Sequence, residues 1–166
     1  ALQASEVERI HMLYSTLNNV GGIKVENEKY PEYMQFDQYK YAVAHVPFSE
    51  KWNLELARNR AREEKLFDSL GVTREFICVH RRSGSFAPDF GIPPEWESTH
   101  DVVEIDERSA SPFDWILTME RAAKLVFIDS VFANLAEQLN LPMEKYLILR
   151  SPGPGTPVFK NGWTFL

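Results

Sequence analysis

The chain has 166 residues, 44% of them hydrophobic and 25% charged. That composition suits one folded core able to take about 70% of its unfolded surface out of water, and excludes disorder and fibrous repeats. Eighteen Lys and Arg against 24 Asp and Glu leave a formal charge of −6; without a block of like charge, this argues against a polyanion-coating, nucleic-acid-binding role.

No apolar run reaches the roughly 18 residues a membrane helix needs, and the opening ALQASEVERI lacks the charged-then-apolar order of a signal peptide. No membrane insertion is expected, and the expected location is cytoplasmic. The lone Cys78 sits inside an apolar run and reads as a buried thiol in a reducing compartment. The absent initiator Met and the start within a helical pattern suggest a piece of something larger.

In chain order, Ser5 caps an expected helix through Val7, Ile10, Leu13, Leu17 and Val20, ended by Gly21-Gly22. A Tyr-rich stretch follows, with weak strand alternation from Tyr41 to Val46 that stops at Pro47. Ser49 opens an expected long charged helix through Trp52, Leu54, Leu56, Leu66, Phe67 and Leu70, terminated by Gly71. From there, short apolar runs alternate with helices. The runs are Phe76–Val79, Val102–Ile105, Leu125–Ile128 and Tyr146–Leu149. A helix capped by Ser111, with Pro112 at its first position and Asp114 at its third, spans to Lys124, and another follows Ser130. Apolar runs without alternation, separated by helices, mark a parallel sheet buried on both sides. The expected fold class is therefore α/β, a Rossmann-like parallel sheet with helices on both faces. The expected organisation is an N-terminal helix and irregular or strand segment over 1–50, packed on a main domain over 51–166. The Pro/Gly stretch from Ser151 to Pro157 breaks regular structure, and an extended tail to Leu166 lies on the outside.

In open parallel sheets, ligands bind beyond the carboxyl ends of the strands. That rule selects His80, Arg81, Arg82, Ser83 and Gly84 after the first run, Asp106 to Ser111 after the second, and Asp129 and Ser130 after the third. Two guanidiniums followed by Ser and Gly suit a phosphate or diphosphate, because arginine supplies planar multidentate donors and a small residue lets main-chain amides approach. Pairing of Arg81 and Arg82 with surface acids explains them equally well, and helix capping alone accounts for Ser130. No dinucleotide or NTPase-loop glycine pattern occurs, and His11, His45, His80 and His100 lack metal-ligand spacing, so neither cofactor nor metal is expected. Glu104 and Asp106 lie two apart at a strand end, an awkward arrangement for a shared ion. Tyr30, Tyr33, Phe36, Tyr39 and Tyr41 read as packing aromatics rather than a sugar platform.

Three segments together resemble a known family: Phe76-Ile-Cys-Val-His-Arg-Arg-Ser-Gly84, Ser111-Pro-Phe-Asp-Trp115, and Glu120 through Ile128-Asp129-Ser130 to Leu135. From about Trp52 to Leu149 the chain is similar to the nucleotide-sugar-binding half of GT-B glycosyltransferases, nearest in pattern to the heptosyltransferase-like and fucosyltransferase-like branches. The resemblance implies that Arg81 or Arg82 binds the diphosphate, that Asp129 and Ser130 open the nucleotide-binding helix, and that Asp106 to Ser111 line base and ribose. It also implies metal-independent transfer, with arginine and helix-end amides neutralising the departing nucleoside diphosphate. In the fucosyltransferase-like pattern one residue separates the His from the Arg pair, whereas His80 and Arg81 are adjacent. Such enzymes carry a second, acceptor-binding domain, so the chain is expected to hold half an active site, with no catalytic residue assigned. A non-catalytic nucleotide-binding or phosphate-binding module, and a plain interaction domain, remain as alternatives.

Overall fold

The computed structural model describes residues 19–20, 23–24, 35–84, 86–150 and 156–166. The chain divides into two compact units, Ala1–Glu50 with Ser151–Val158, and Lys51–Arg150 with Phe159–Leu166.

In the first unit, β1 (Asn19–Val20) pairs antiparallel with β2 (Ile23–Lys24). The helix expected from Ser5 lies outside the described residues apart from its final two, and these are strand. As a sequence signal, Gly-Gly is a favoured dipeptide for a two-residue hairpin connection as well as a helix stop. The weak strand expected at Tyr41–Val46 is replaced by helix α1 (Phe36–Val43). Its start is set locally: Gln38 Oε1 accepts from the Gln35 amide at 2.9 Å, and Asp37 lies in the first turn. The Asp37 carboxylate also accepts from the Val158 amide at 3.0 Å. Tyr41 packs edge-on against Phe48, with ring centroids 5.4 Å apart.

The second unit carries the sheet. A short 3₁₀ turn ends at Trp52, and helix α2 is Arg60–Ser69. The helix expected from Ser49 thus begins some ten residues late. Between Trp52 and Arg58, partly buried and exposed residues alternate strictly, the period of an extended segment. Asn59 then caps α2, its side chain accepting from the Arg62 amide. Gly71, at φ +64°, ends it in the left-handed conformation that glycine adopts without penalty.

There follow β3 (Phe76–His80), the single-turn helix α3 (Pro94–Glu97), β4 (Asp101–Glu104), α4 (Ile116–Arg121), β5 (Lys124–Ile128), α5 (Val131–Gln138), β6 (Glu144–Ile148) and β7 (Trp163–Phe165). The five strands form one sheet in the order β4-β3-β5-β6-β7, every neighbouring pair parallel. The fold of this unit is α/β. Each apolar run read from the sequence is a strand within two residues at either end, and the clearest are β3, buried along its whole length, and β5, nearly so. Side chains cannot alternate in polarity where both faces are covered.

The two faces are unequal. Phe76, Cys78, Leu125, Phe127 and Leu147 form one face, packed with Leu66 of α2, Ile116 and Met119 of α4, and Leu135 of α5. Ile77, Val79 and Val126 form the other, where Ile92, Phe90 and Trp96 from the segment around α3 supply the cover. Helices therefore reach both faces, but among the described residues only one short turn covers the second. The C-terminal tail is extended as expected, and it joins the sheet as an edge strand instead of lying outside. The fully buried Glu137 holds it there, its carboxylate accepting from the amides of Lys160 (3.0 Å) and Asn161 (3.2 Å) and the indoles of Trp52 (3.0 Å) and Trp163 (2.9 Å). Four donors on one carboxylate offset the cost of burying its charge.

Candidate functional site

The strand order fixes where a ligand can enter. After β3 the chain moves outward to β4, then returns across β3 to β5 and continues the other way. The crevice between the carboxyl ends of β3 and β5 is the point where the direction of winding reverses, and there the connecting loops part.

Alternation along β3 decides which side chains meet at that crevice. Phe76 and Cys78 belong to the helix-covered face, so His80 continues on that side and Arg82 after it. Arg81 turns to the opposite face, its guanidinium lying over the Phe90 ring at 4.7 Å and 3.6 Å from a Glu104 oxygen, with a further bond to the Phe90 carbonyl. Of the two arginines offered by the sequence, Arg82 borders the crevice and Arg81 is committed elsewhere.

His80, Arg82 and Gly84 line a cleft of about 810 Å³ together with Asp106, Glu107 and Ser109 from the loop after β4, and Phe132 of α5. His80 is buried, with Nδ1 at 3.0 Å from Ser130 Oγ and its ring edge-on to Phe132. Ser130 caps α5, its oxygen accepting from the Ala133 amide at 3.5 Å. The Ser130 hydroxyl has a second lone pair and a proton, so the His80 Nδ1 contact serves either tautomer of the ring. Burial pushes the His80 pKa down to about 4, so the ring is a neutral donor at ordinary pH. A serine beside a histidine invites comparison with hydrolases. Here the serine oxygen serves as a cap, its backbone is extended (φ −158°) rather than sharply turned, and its histidine is a weak base. Nucleophilic catalysis by Ser130 is not supported.

Asp129 is buried, its amide donating to the Ile148 carbonyl at 2.9 Å. Ser83 closes a tight turn with Phe86 through two main-chain bonds of 2.9 and 3.1 Å, and Gly84 holds that turn at φ +60°. The open approach at Gly84 is consistent with a main chain that a ligand can come close to. Asp106 is held by Arg108, whose guanidinium and amide keep its carboxyl below the usual range. Ser111 does not border the cleft and its side chain caps nothing. Ser109 stands at the cleft instead, bonding Asp114 at 2.5 Å, and Arg62 meets Asp114 from α2 at 2.7 Å. Both halves of the expected capping box are diverted: the Asp114 amide donates to the Ser111 carbonyl at 3.2 Å, and the Asp114 carboxylate is held by Ser109 and Arg62.

The cleft is electrically asymmetric. Arg82 follows β3 and Phe132 belongs to α5, next to β5, whereas Glu104, Asp106 and Glu107 come from the end of β4 and the loop after it, at the edge of the sheet. Two of those carboxylates already have arginine partners, Glu104 with Arg81 and Asp106 with Arg108. One residue of this rim was not singled out from the sequence. Arg150, just past β6, donates to the main-chain carbonyls of Ser83 (3.3 Å) and Asp129 (3.5 Å). It follows the fourth apolar run as His80 follows the first, so the same strand-end rule would have found it.

Among the described residues no group of three or more His, Cys, Asp or Glu is placed to hold a metal ion, and no helix is long and apolar enough to cross a membrane. Compared with family models, with curated proteins and with solved structures, the chain matches none.

Proposed function

We propose that the α/β unit binds a nucleoside diphosphate or nucleotide sugar, as the donor-binding half of a GT-B-like glycosyltransferase. The observation carrying this reading is that His80, Arg82 and Gly84 from the first strand end and Asp106 from the second, chosen from two separate places in the sequence pattern, border one cleft at the winding reversal of the sheet. The charge asymmetry supports it further. An anionic group fits the side bearing Arg82 and the α5 amides, and ribose hydroxyls, which donate to carboxylates, fit the side bearing Asp106 and Glu107. The neutral His80 ring adds a polar group to the same lining. In such an enzyme, arginine and helix-end amides stabilise the departing diphosphate electrostatically, and the acceptor is presented by another domain.

Calorimetric titration of the protein with a panel of nucleoside diphosphates and nucleotide sugars tests the reading. Saturable binding of at least one member is expected, weakened about tenfold or more in Arg82→Ala through loss of a charge-assisted contact. Absence of saturable binding across the panel would overturn it and leave the interaction-domain reading in front.

A further inference from the structure

The described arginines of this acidic chain differ in what answers their charge. Arg58, Arg60, Arg62, Arg74, Arg81 and Arg108 each have a carboxylate partner. Arg121 lies over the Phe67 ring at 4.5 Å. Arg82 and Arg150 have no carboxylate partner among the described residues, although acids outnumber bases in the chain by 24 to 18. Both stand at the carboxyl rim of the sheet, Arg82 in the cleft lining and Arg150 outside it, against the Ser83 turn.

Arg150 is placed there by register. Ile148 pairs with Ile128, so the chain leaves β6 beside Asp129, and the guanidinium reaches across the crevice to the Ser83 turn. Its two acceptors are neutral main-chain carbonyls at 3.3 and 3.5 Å, and its carbon lies 5.4 Å from the centre of the Phe86 ring. Charge-assisted bonds run nearer about 2.7–2.9 Å. The group is thus oriented by weak contacts, while no carboxylate among the described residues pairs with its charge. Arg82 precedes Ser83 in the chain and Arg150 holds the Ser83 carbonyl, so both cations are anchored to the same turn.

We infer that Arg150 is the second guanidinium of the anion site, contacting the ligand from β6 as Arg82 does from β3, and that the pair selects a diphosphate over a monophosphate. This rests on the anion-binding reading proposed above and adds a residue and a selectivity to it. An arriving phosphoryl oxygen exchanges the long carbonyl bonds of Arg150 for short charge-assisted ones, and two phosphoryl groups occupy two guanidiniums where one phosphate satisfies one.

The test is calorimetric titration of the full chain with inorganic pyrophosphate and with orthophosphate at low salt, for wild type, Arg150→Ala and Arg150→Gln. Glutamine keeps an N–H donor for the Ser83 and Asp129 carbonyls and loses the charge. Wild type is expected to prefer pyrophosphate, and both variants to weaken it by about 10- to 100-fold while changing orthophosphate binding much less. Pyrophosphate binding within about twofold of wild type in both variants, a small effect against that range, would overturn the inference and leave the proposed function standing. Loss in the alanine variant with normal binding in the glutamine variant would also overturn it, since the role would then be to hold the turn. Failure of wild type to bind pyrophosphate would overturn the underlying anion reading itself.

Discussion

The flank where α2 meets α4 and the carboxyl rim of the sheet use the same side chain for opposite ends. On the flank, Arg58 is nearly buried and donates to Glu63, which is 1% exposed, and to Glu120. The neighbouring Arg58 holds the Glu120 carboxyl below its usual range. On the rim, Arg82 and Arg150 are exposed and lack carboxylate partners among the described residues. An arginine whose charge is answered within the protein stabilises the fold, and one whose charge is left open at a loop-lined crevice is available to a ligand. In this chain, pairing separates two groups of arginines where residue type and spacing do not, and the open pair is the one proposed to meet a ligand.

Breaking the flank should give the largest effect. Glu63→Ala leaves the Arg58 guanidinium without its buried partner and is expected to cost about 3–5 kcal/mol of stability in urea unfolding, with pyrophosphate affinity of the folded protein unchanged. A loss confined to affinity would erase the distinction between the regions.

The rim has its own structural member, and titration sharpens the contrast. His80 has its pKa depressed to about 4 by burial, against about 6.5 in an unfolded chain. Between those values the unfolded state takes a proton that the folded state refuses. Stability is therefore full above pH 6.5, falls as pH drops toward 4, and levels off below, for a total of about 3 kcal/mol. In His80→Gln that part of the pH dependence should vanish; an unchanged slope would show that His80 is not the group responsible.

Much of the second unit was legible because burial on both faces of a parallel sheet leaves apolar runs such as Phe76–Val79 and Leu125–Ile128 that hold few other meanings. The start of α2 was not. Trp52, Leu54 and Leu56 fit a helical stripe read with Leu66 and Leu70, but at spacing two they also fit an extended segment, and Asn59 is the cap that decides between them. In the first unit, Gly21-Gly22 carries both a helix-stop and a hairpin meaning, and nothing local ranks them. At the site, the strand-end rule located the crevice, and the alternation of faces along Cys78, His80 and Arg82 already separates Arg82 from Arg81. The pairing of Asp114 with Arg62 and Ser109, which takes it away from the expected Ser111 cap, depends on the packing of α2 and has no local signature.

The contrast between paired and open arginines is most directly read by the Nε–Hε resonances of the arginines during a pyrophosphate titration. Arg82 and Arg150 should shift and saturate together, with Arg58 and Arg62 unmoved. Shifts spread over all arginines, or confined to the flank, would contradict the division of labour described above.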